Sequence, residues 1–121
     1  MPRLLLADDH PMVRATLTRV LRRDRRIELV GVAASGEEAA AAARRLEPDV
    51  VLMDLRMPGL GGAEATREIV AHRPSTRVLI FTAHPDPHGV RRALDAGAVG
   101  VVVKGASVGE LLDAVHGAAG G

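Results

Sequence analysis

The chain has 121 residues, 47% of them hydrophobic, and a formal net charge of +1; that length supports one domain around one well-buried core and leaves no room for a second. No apolar run approaches the ~20 residues of a membrane span, no signal-peptide pattern precedes the first strand-like run, and cysteine is absent, so disulfides and thiolate metal sites are excluded and any metal must be held by oxygen or imidazole. A soluble, cytoplasmic protein is expected. The near-neutral charge gives no global attraction to nucleic acid, and with Phe81 as the sole Phe, Tyr or Trp there is no stacking platform for single strands.

Five short apolar runs alternate with helical patterns. The first, Leu4 to Ala7, enters Asp8-Asp9; His10-Pro11 then supplies a proline suited to a first helical turn, and Val13, Leu17, Val20 and Leu21 recur at helical spacing to about Arg23. The cluster Arg22-Arg23-Asp24-Arg25-Arg26 reads as a solvated helix end whose dipole favours cations, in preference to a nucleic-acid patch. A second strand over Ile27–Ala33 leads to Ser35-Gly36-Glu37-Glu38, a capping-box pattern, and to an alanine-rich helix that stops before Pro48. Strand three is Val50–Met53, ending in Asp54. The glycine-rich loop Met57-Pro58-Gly59-Leu60-Gly61-Gly62 precedes a helix from Ala63 to His72, ended by Pro74. Strand four, Arg77–Phe81, ends in Thr82 and is followed by His84-Pro85-Asp86-Pro87 and a helix through Leu94 that Gly97 terminates. Strand five, Val99–Val103, ends in Lys104, the one lysine beside fifteen arginines. A second capping box, Ser107 to Glu110, opens a last helix with Val108, Leu111, Leu112 and Val115 as its apolar stripe. Residues 1–117 are therefore expected to form the domain, and 118–121 a frayed end or the beginning of a linker.

Alternating strands and helices imply a parallel sheet covered on both faces, and continuous apolar runs suit strands buried on both sides. Five such units fit an α/β flavodoxin-like sandwich of strand order 2-1-3-4-5, whose binding crevice lies at the carboxyl ends of strands one and three. Asp8, Asp9 and Asp54 fall at those ends. Three carboxylates that close repel and raise one another's pKa unless cations intervene. Mg2+ is the natural partner, since it takes few carboxylates and leaves room for a phosphate oxygen. Lys104 adds a compact charge able to pair with Asp54 and then with a phosphoryl group. Thr82 offers a hydroxyl, and Ala83 is small enough to leave its backbone N–H reachable. These are the parts needed for in-line phosphoryl transfer to an aspartate. Singly, each has a plainer reading: Asp8 and Asp9 as caps of helix one, Asp54 as a turn residue, Thr82 as a satisfied strand hydroxyl, Lys104 as a surface charge. Coincidence at four strand ends argues for a site.

Leu5-Leu6-Ala7-Asp8-Asp9-His10-Pro11-Met12-Val13-Arg14, Pro48 through Gly59, Phe81-Thr82-Ala83 and Val103-Lys104 resemble the four signature segments of response-regulator receiver domains, along essentially the whole chain. The Asp-Asp-His-Pro start and Lys104-Gly105-Ala106-Ser107 are most similar to the NarL/FixJ type, which usually precedes a LuxR-like helix-turn-helix domain. The resemblance implies that Asp54 accepts a phosphoryl group from a sensor histidine kinase. It also implies that Asp9 and Asp54 ligate Mg2+ directly, with Asp8 acting mostly through water and the Arg56 backbone carbonyl completing the protein ligands. Thr82 and Lys104 would hold the phosphoryl oxygens, Thr82 moving toward them on activation. Such a domain regulates rather than turning over substrate. Its output would be homodimerisation, with the stripe on the last helix and the outer face of helix one as candidate surfaces, or control of DNA through an attached domain, with no membrane partner.

Two departures from the family pattern bear on output. Val101 stands where receivers usually carry Tyr or Phe, so an aromatic rotamer switch cannot operate as usual, and Lys104-Gly105 replaces the common Lys-Pro. Arg56 and His84, two residues beyond Asp54 and Thr82, either flank the path of a dephosphorylating water or face solvent. Rival readings are weaker. A Mg2+-dependent phosphatase of the haloacid-dehalogenase type would use Asp54 as nucleophile, but its second aspartate falls at Arg56; a flavin carrier would need a phosphate loop where Asp8-Asp9-His10-Pro11 stands. A stand-alone receiver signalling by protein binding is the closer alternative to a piece of a transcription factor.

Overall fold

The computed structural model describes residues 1–120. Five strands and five helices alternate as β1 (Arg3–Ala7), α1 (Pro11–Arg23), β2 (Glu28–Ala33), α2 (Gly36–Leu46), β3 (Val50–Met53), α3 (Gly62–His72), β4 (Arg77–Thr82), α4 (Pro87–Asp95), β5 (Gly100–Val103) and α5 (Val108–Gly120). All strand pairs are parallel, and the order is β2-β1-β3-β4-β5, as the alternation of patterns requires.

The side-chain period of two divides the core into two halves. Leu5, Ala7, Val51, Met53, Val78 and Ile80 point to one face and pack with Ala39, Ala43, Ala65, Ile69 and Ala93 of α2, α3 and α4. Leu4, Leu6, Val50, Leu52, Leu79 and Phe81 point to the other and meet Leu17 and Leu21 of α1 and Leu111 and Val115 of α5. Burying one such leucine is worth ~1.5–3 kcal/mol, so the three inner strands supply most of the driving force. Burial on both sides holds for those inner strands alone: on the edge strands Val32 and Val103 are exposed, because an edge strand has no neighbour on its outer side to carry the covering helices past it.

Local chemistry ends the elements where expected, within a residue or two. Ser35 Oγ accepts the Glu38 N–H at 3.1 Å, and at α5 both halves of the capping box form, with the Glu110 N–H donating to Ser107 Oγ at 3.1 Å and the Ser107 N–H to Glu110 Oε1 at 3.4 Å. α2 closes on Glu47, whose φ of 48° is left-handed, with its N–H donating to the Ala43 carbonyl. One boundary differs more. α5 continues through Gly120, over residues assigned from sequence to a frayed end or linker; Ala118 and Ala119 are good helix formers and pack against the α1/α5 half of the core. Gly121 lies outside the described residues.

The basic cluster at the end of α1 is a solvated helix end, as read. Arg22, Arg23 and Arg25 are exposed, while Asp24 turns inward, accepting from the Arg26 N–H at 2.8 Å and lying 3.1 Å from His116 Nε2 on α5. The Arg26 side chain and N–H, with His116 behind them, hold the Asp24 carboxyl far below the usual carboxylate range.

Candidate functional site

Register brings the acids together. β1 pairs with β3 so that Ala7 faces Met53, which makes Asp8 and Asp54 the next residues along, and the ladder reaches them: the Asp54 N–H donates to the Ala7 carbonyl at 2.9 Å and the Asp8 N–H to the Ala33 carbonyl at 3.0 Å. Behind Asp54 the start of α3 closes in so tightly that a Cβ on Gly62 would run into the Asp54 carbonyl oxygen. That contact requires the glycine. On the other side Thr82 pairs with Val103, and the Lys104 N–H donates to the Thr82 carbonyl at 2.8 Å, so the lysine leaves the sheet beside the acids.

Asp8 and Asp54 are buried, at 1% and 4% exposure. Lys104 Nζ lies 2.6 Å from Asp8 Oδ2 and 3.4 Å from Asp54 Oδ2, and 5.8 Å over the Phe81 ring, a cation–π contact that keeps it on the α1 side. The sequence argues for a Lys104–Asp54 pair; the shorter contact is to Asp8, so the single ammonium is shared. The remaining charge is felt at Asp54, whose carboxyl is pushed above the ordinary value first by burial and next by the Asp8 charge, with Lys104 and the Arg56 N–H pulling the other way.

The donor set fits a hard divalent cation. Atoms of Asp8, Asp9, His10 and Asp54 lie within 4.8 Å of one another, and Asp8 Oδ2 and Asp9 Oδ1 are buried without a hydrogen-bond partner among the described residues. The Lys104 approach to Asp8 Oδ2 is close as an ion pair but is not directed as a hydrogen bond. Neither acid caps α1: its N-cap is His10, without a side-chain cap, and Asp8 Oδ1 instead accepts the His10 N–H at 2.8 Å. Buried acceptors left open next to a raised carboxylate are costly in a structural role and natural in a binding one.

The other residues singled out from sequence sit around this cluster. Thr82 is buried, and its Oγ1 accepts the His84 N–H at 3.1 Å, so hydroxyl and acids occupy adjacent strand ends without a direct bond. Ala83, the residue after Thr82, is exposed. The Arg56 N–H reaches Asp54 Oδ1 at 3.4 Å, whereas its exposed guanidinium lies 3.8 Å from Asp86 Oδ2. His84 is exposed. Val101 is paired with Ile80 and packs into the half of the core under α2, α3 and α4, with no ring to turn. Among the described residues every peptide bond is trans, Lys104–Gly105 included.

Three contributors escaped the sequence reading. Asp86 caps α4 by accepting the Gly89 N–H at 3.0 Å and faces Arg56; an aspartate before Pro87 is a visible N-cap signal. Glu37 Oε1 accepts the Leu60 N–H at 2.7 Å and pins the β3–α3 loop, a bond across 23 residues with no local signature. His10 stands among the acids, visible in sequence only as the residue before Pro11.

A doubly wound parallel sheet with an acid cluster and one lysine at the carboxyl ends of its strands defines an α/β domain whose chemistry gathers at that sheet edge. Residues 4–116 match the response regulator receiver domain family, and the chain belongs to it. It is 44% identical over 116 residues to the response regulator GacA of Pseudomonas viridiflava, covering 96% of this chain and 54% of that protein. Among solved structures it is similar to the signal receiver domain of the response regulator NarL from Mycobacterium tuberculosis, with TM-score 0.94, 36% identity, and 99% and 97% of the two chains covered. A two-component response regulator of the LuxR family from Aurantimonas sp. SI85-9A1 gives TM-score 0.92, 39% identity, and 99% and 86% coverage. The chain spans about half the length of the curated relatives it matches.

Proposed function

We propose that this receiver domain accepts a phosphoryl group on Asp54 from a phosphohistidine of a sensor histidine kinase. An Asp54 carboxylate oxygen forms the new P–O bond as the donor P–N bond breaks, and the donor nitrogen leaves with the electron pair as an imidazole. The carrying observation is the Lys104 ammonium held between Asp8 and Asp54 in a nearly closed site. Lys104 neutralises charge on the incoming phosphoryl oxygens, Thr82 donates its hydroxyl after leaving the His84 N–H, and the Ala83 N–H is exposed nearby. A bound Mg2+ would supply the remaining charge neutralisation, held by Asp9 and Asp54 directly, by Asp8 through water and by the Arg56 carbonyl oxygen.

The role is regulatory, with turnover limited to self-phosphorylation from small donors and slow autodephosphorylation, which Arg56 and His84 would tune. The half-length match to full regulators supports output through a LuxR-type DNA-binding domain attached beyond α5, which itself runs to Gly120. Among the described residues no helix is long and apolar enough to cross a membrane; as a receiver served by a histidine kinase the domain would act in the cytoplasm. Intact-mass analysis after incubation with acetyl phosphate and Mg2+ tests the assignment. One phosphoryl group is expected on the wild type and none on Asp54→Asn. Equal labelling of both, or labelling indifferent to a chelator, overturns it.

A further inference from the structure

The acid cluster includes a nitrogen that a carboxylate-only cation site does not need. His10 Nδ1 lies 3.1 Å from Asp9 Oδ1 and 3.4 Å from Asp8 Oδ1, and its donor atom is within 4.8 Å of those of Asp8, Asp9 and Asp54. Adjacent ligands of a six-coordinate ion with bonds of ~2.0–2.2 Å stand ~3 Å apart. The imidazole is therefore at ligand-to-ligand spacing from both acids before any ion arrives.

Its placement is built in rather than incidental. The His10 backbone is extended, with φ −86° and ψ 115°, as a residue before proline must be, and its N–H is tied to Asp8 Oδ1 at 2.8 Å. The ring is two-thirds exposed, and Nδ1 is the nitrogen that faces the acids. Asp9 Oδ1, the oxygen that faces Nδ1, is buried without a directed hydrogen bond among the described residues, while the buried Asp8 turns its Oδ2 to Lys104.

The geometry points to His10 as a nitrogen ligand in this cation site, which makes the site one for borderline divalent ions such as Mn2+ and Co2+ as well as for Mg2+. Carboxylate oxygens suit Mg2+, whereas imidazole adds affinity mainly for transition metals, in rising order from Mn2+ to Co2+. The inference rests on the proposed reading of the acids as the cation site, and it sets which ion occupies the site when several compete.

Two measurements on the folded chain separate the inference from that reading. Calorimetric titration with Mg2+ and with Co2+ compares wild type and His10→Gln; loss of a ligand should weaken Co2+ by at least about tenfold and leave Mg2+ within about twofold. Pulsed EPR of the Mn2+-loaded wild type should show a directly coordinated 14N, lost in His10→Gln and displaced by excess Mg2+, which assigns the signal to this site rather than to another histidine. Mg2+ and Co2+ binding that His10→Gln leaves equally unchanged, or Mn2+ without nitrogen coupling, overturns the role of His10 while the acid site stands. Failure of the wild type to bind any of the three ions overturns both. Circular dichroism of His10→Gln checks that the exposed substitution has left the fold intact.

Discussion

The two ends of the same strands are built on opposite terms. At the amino ends Arg3, Asp49, Arg73 and Thr76 are tied into hydrogen bonds. The Arg3 N–H donates to Asp49 Oδ2 at 2.8 Å and its guanidinium to the Leu46 carbonyl at 2.6 Å; Thr76 Oγ1 donates to the Pro48 carbonyl at 3.0 Å, and Arg73 donates to the Glu47 and Pro48 carbonyls. At the carboxyl ends two buried carboxylate oxygens have no hydrogen bond among the described residues, one ammonium serves two buried acids, and Asp54 is pushed toward its neutral form. Strand chemistry is the same at both ends, so the contrast comes from the residues placed after the strands. One end holds the fold together and the other spends stability on being ready to bind.

Removing an answered group should cost most. Asp49→Ala strips the acceptor from the Arg3 N–H and is expected to lower stability by ~1–3 kcal/mol in urea denaturation, with Asp54 phosphorylation per folded molecule unchanged. Equal losses in stability and labelling would erase the distinction between the ends.

The opposite sign is expected at the other end. Asp54→Asn removes one buried charge and should raise the melting temperature in chelator by a few degrees, on the order of 1 kcal/mol. The sign with pH follows from the raised pKa of Asp54. The folded state binds a proton that the unfolded state, at ~3.9, has already lost, so stability falls as pH rises through the interval between the two values. The advantage of Asp54→Asn should be full above the folded value and vanish below ~3.9. Melting curves of both proteins across that range check it, and a pH-independent gap would contradict it.

The smallest effect lies at the well-satisfied end. Glu47 closes α2 with φ 48°, a conformation glycine adopts without steric penalty, so Glu47→Gly should gain ~0.5–1 kcal/mol by the same denaturation assay. A loss would mean that the Glu47 side chain, and not only its carbonyl, belongs to the amino-end network.

Much of this was legible before any coordinates. Strand order, both serine caps and the meeting of Asp8, Asp9, Asp54, Thr82 and Lys104 at one sheet edge follow from apolar runs, capping patterns and the crossover rule, because those signals are local or topological. What escaped depends on pairs far apart in sequence. The Leu60–Glu37 bond, the Asp24–His116 contact between α1 and α5, and the preference of Lys104 for Asp8 are settled by side-chain packing, and no window of sequence holds both partners. His10 lay in plain view and was read for its neighbour Pro11 rather than for its ring. The reach of α5 to Gly120 was hidden by glycines that usually end a helix and here do not.

β5 lies at the sheet edge, joined to the rest only through β4, and the cation it carries follows Asp54 by 50 residues. On a ribosome adding ~5–20 residues per second, Asp54 precedes Lys104 by roughly 3–10 s. In that interval a nascent domain can close β1 on β3 and bring its carboxylates together with no ammonium yet made to separate them. Lys104 reaches Asp8 and Asp54 only when β5 docks on β4, so the ion pairs that offset the repulsion of the acids depend on the last strand to be made.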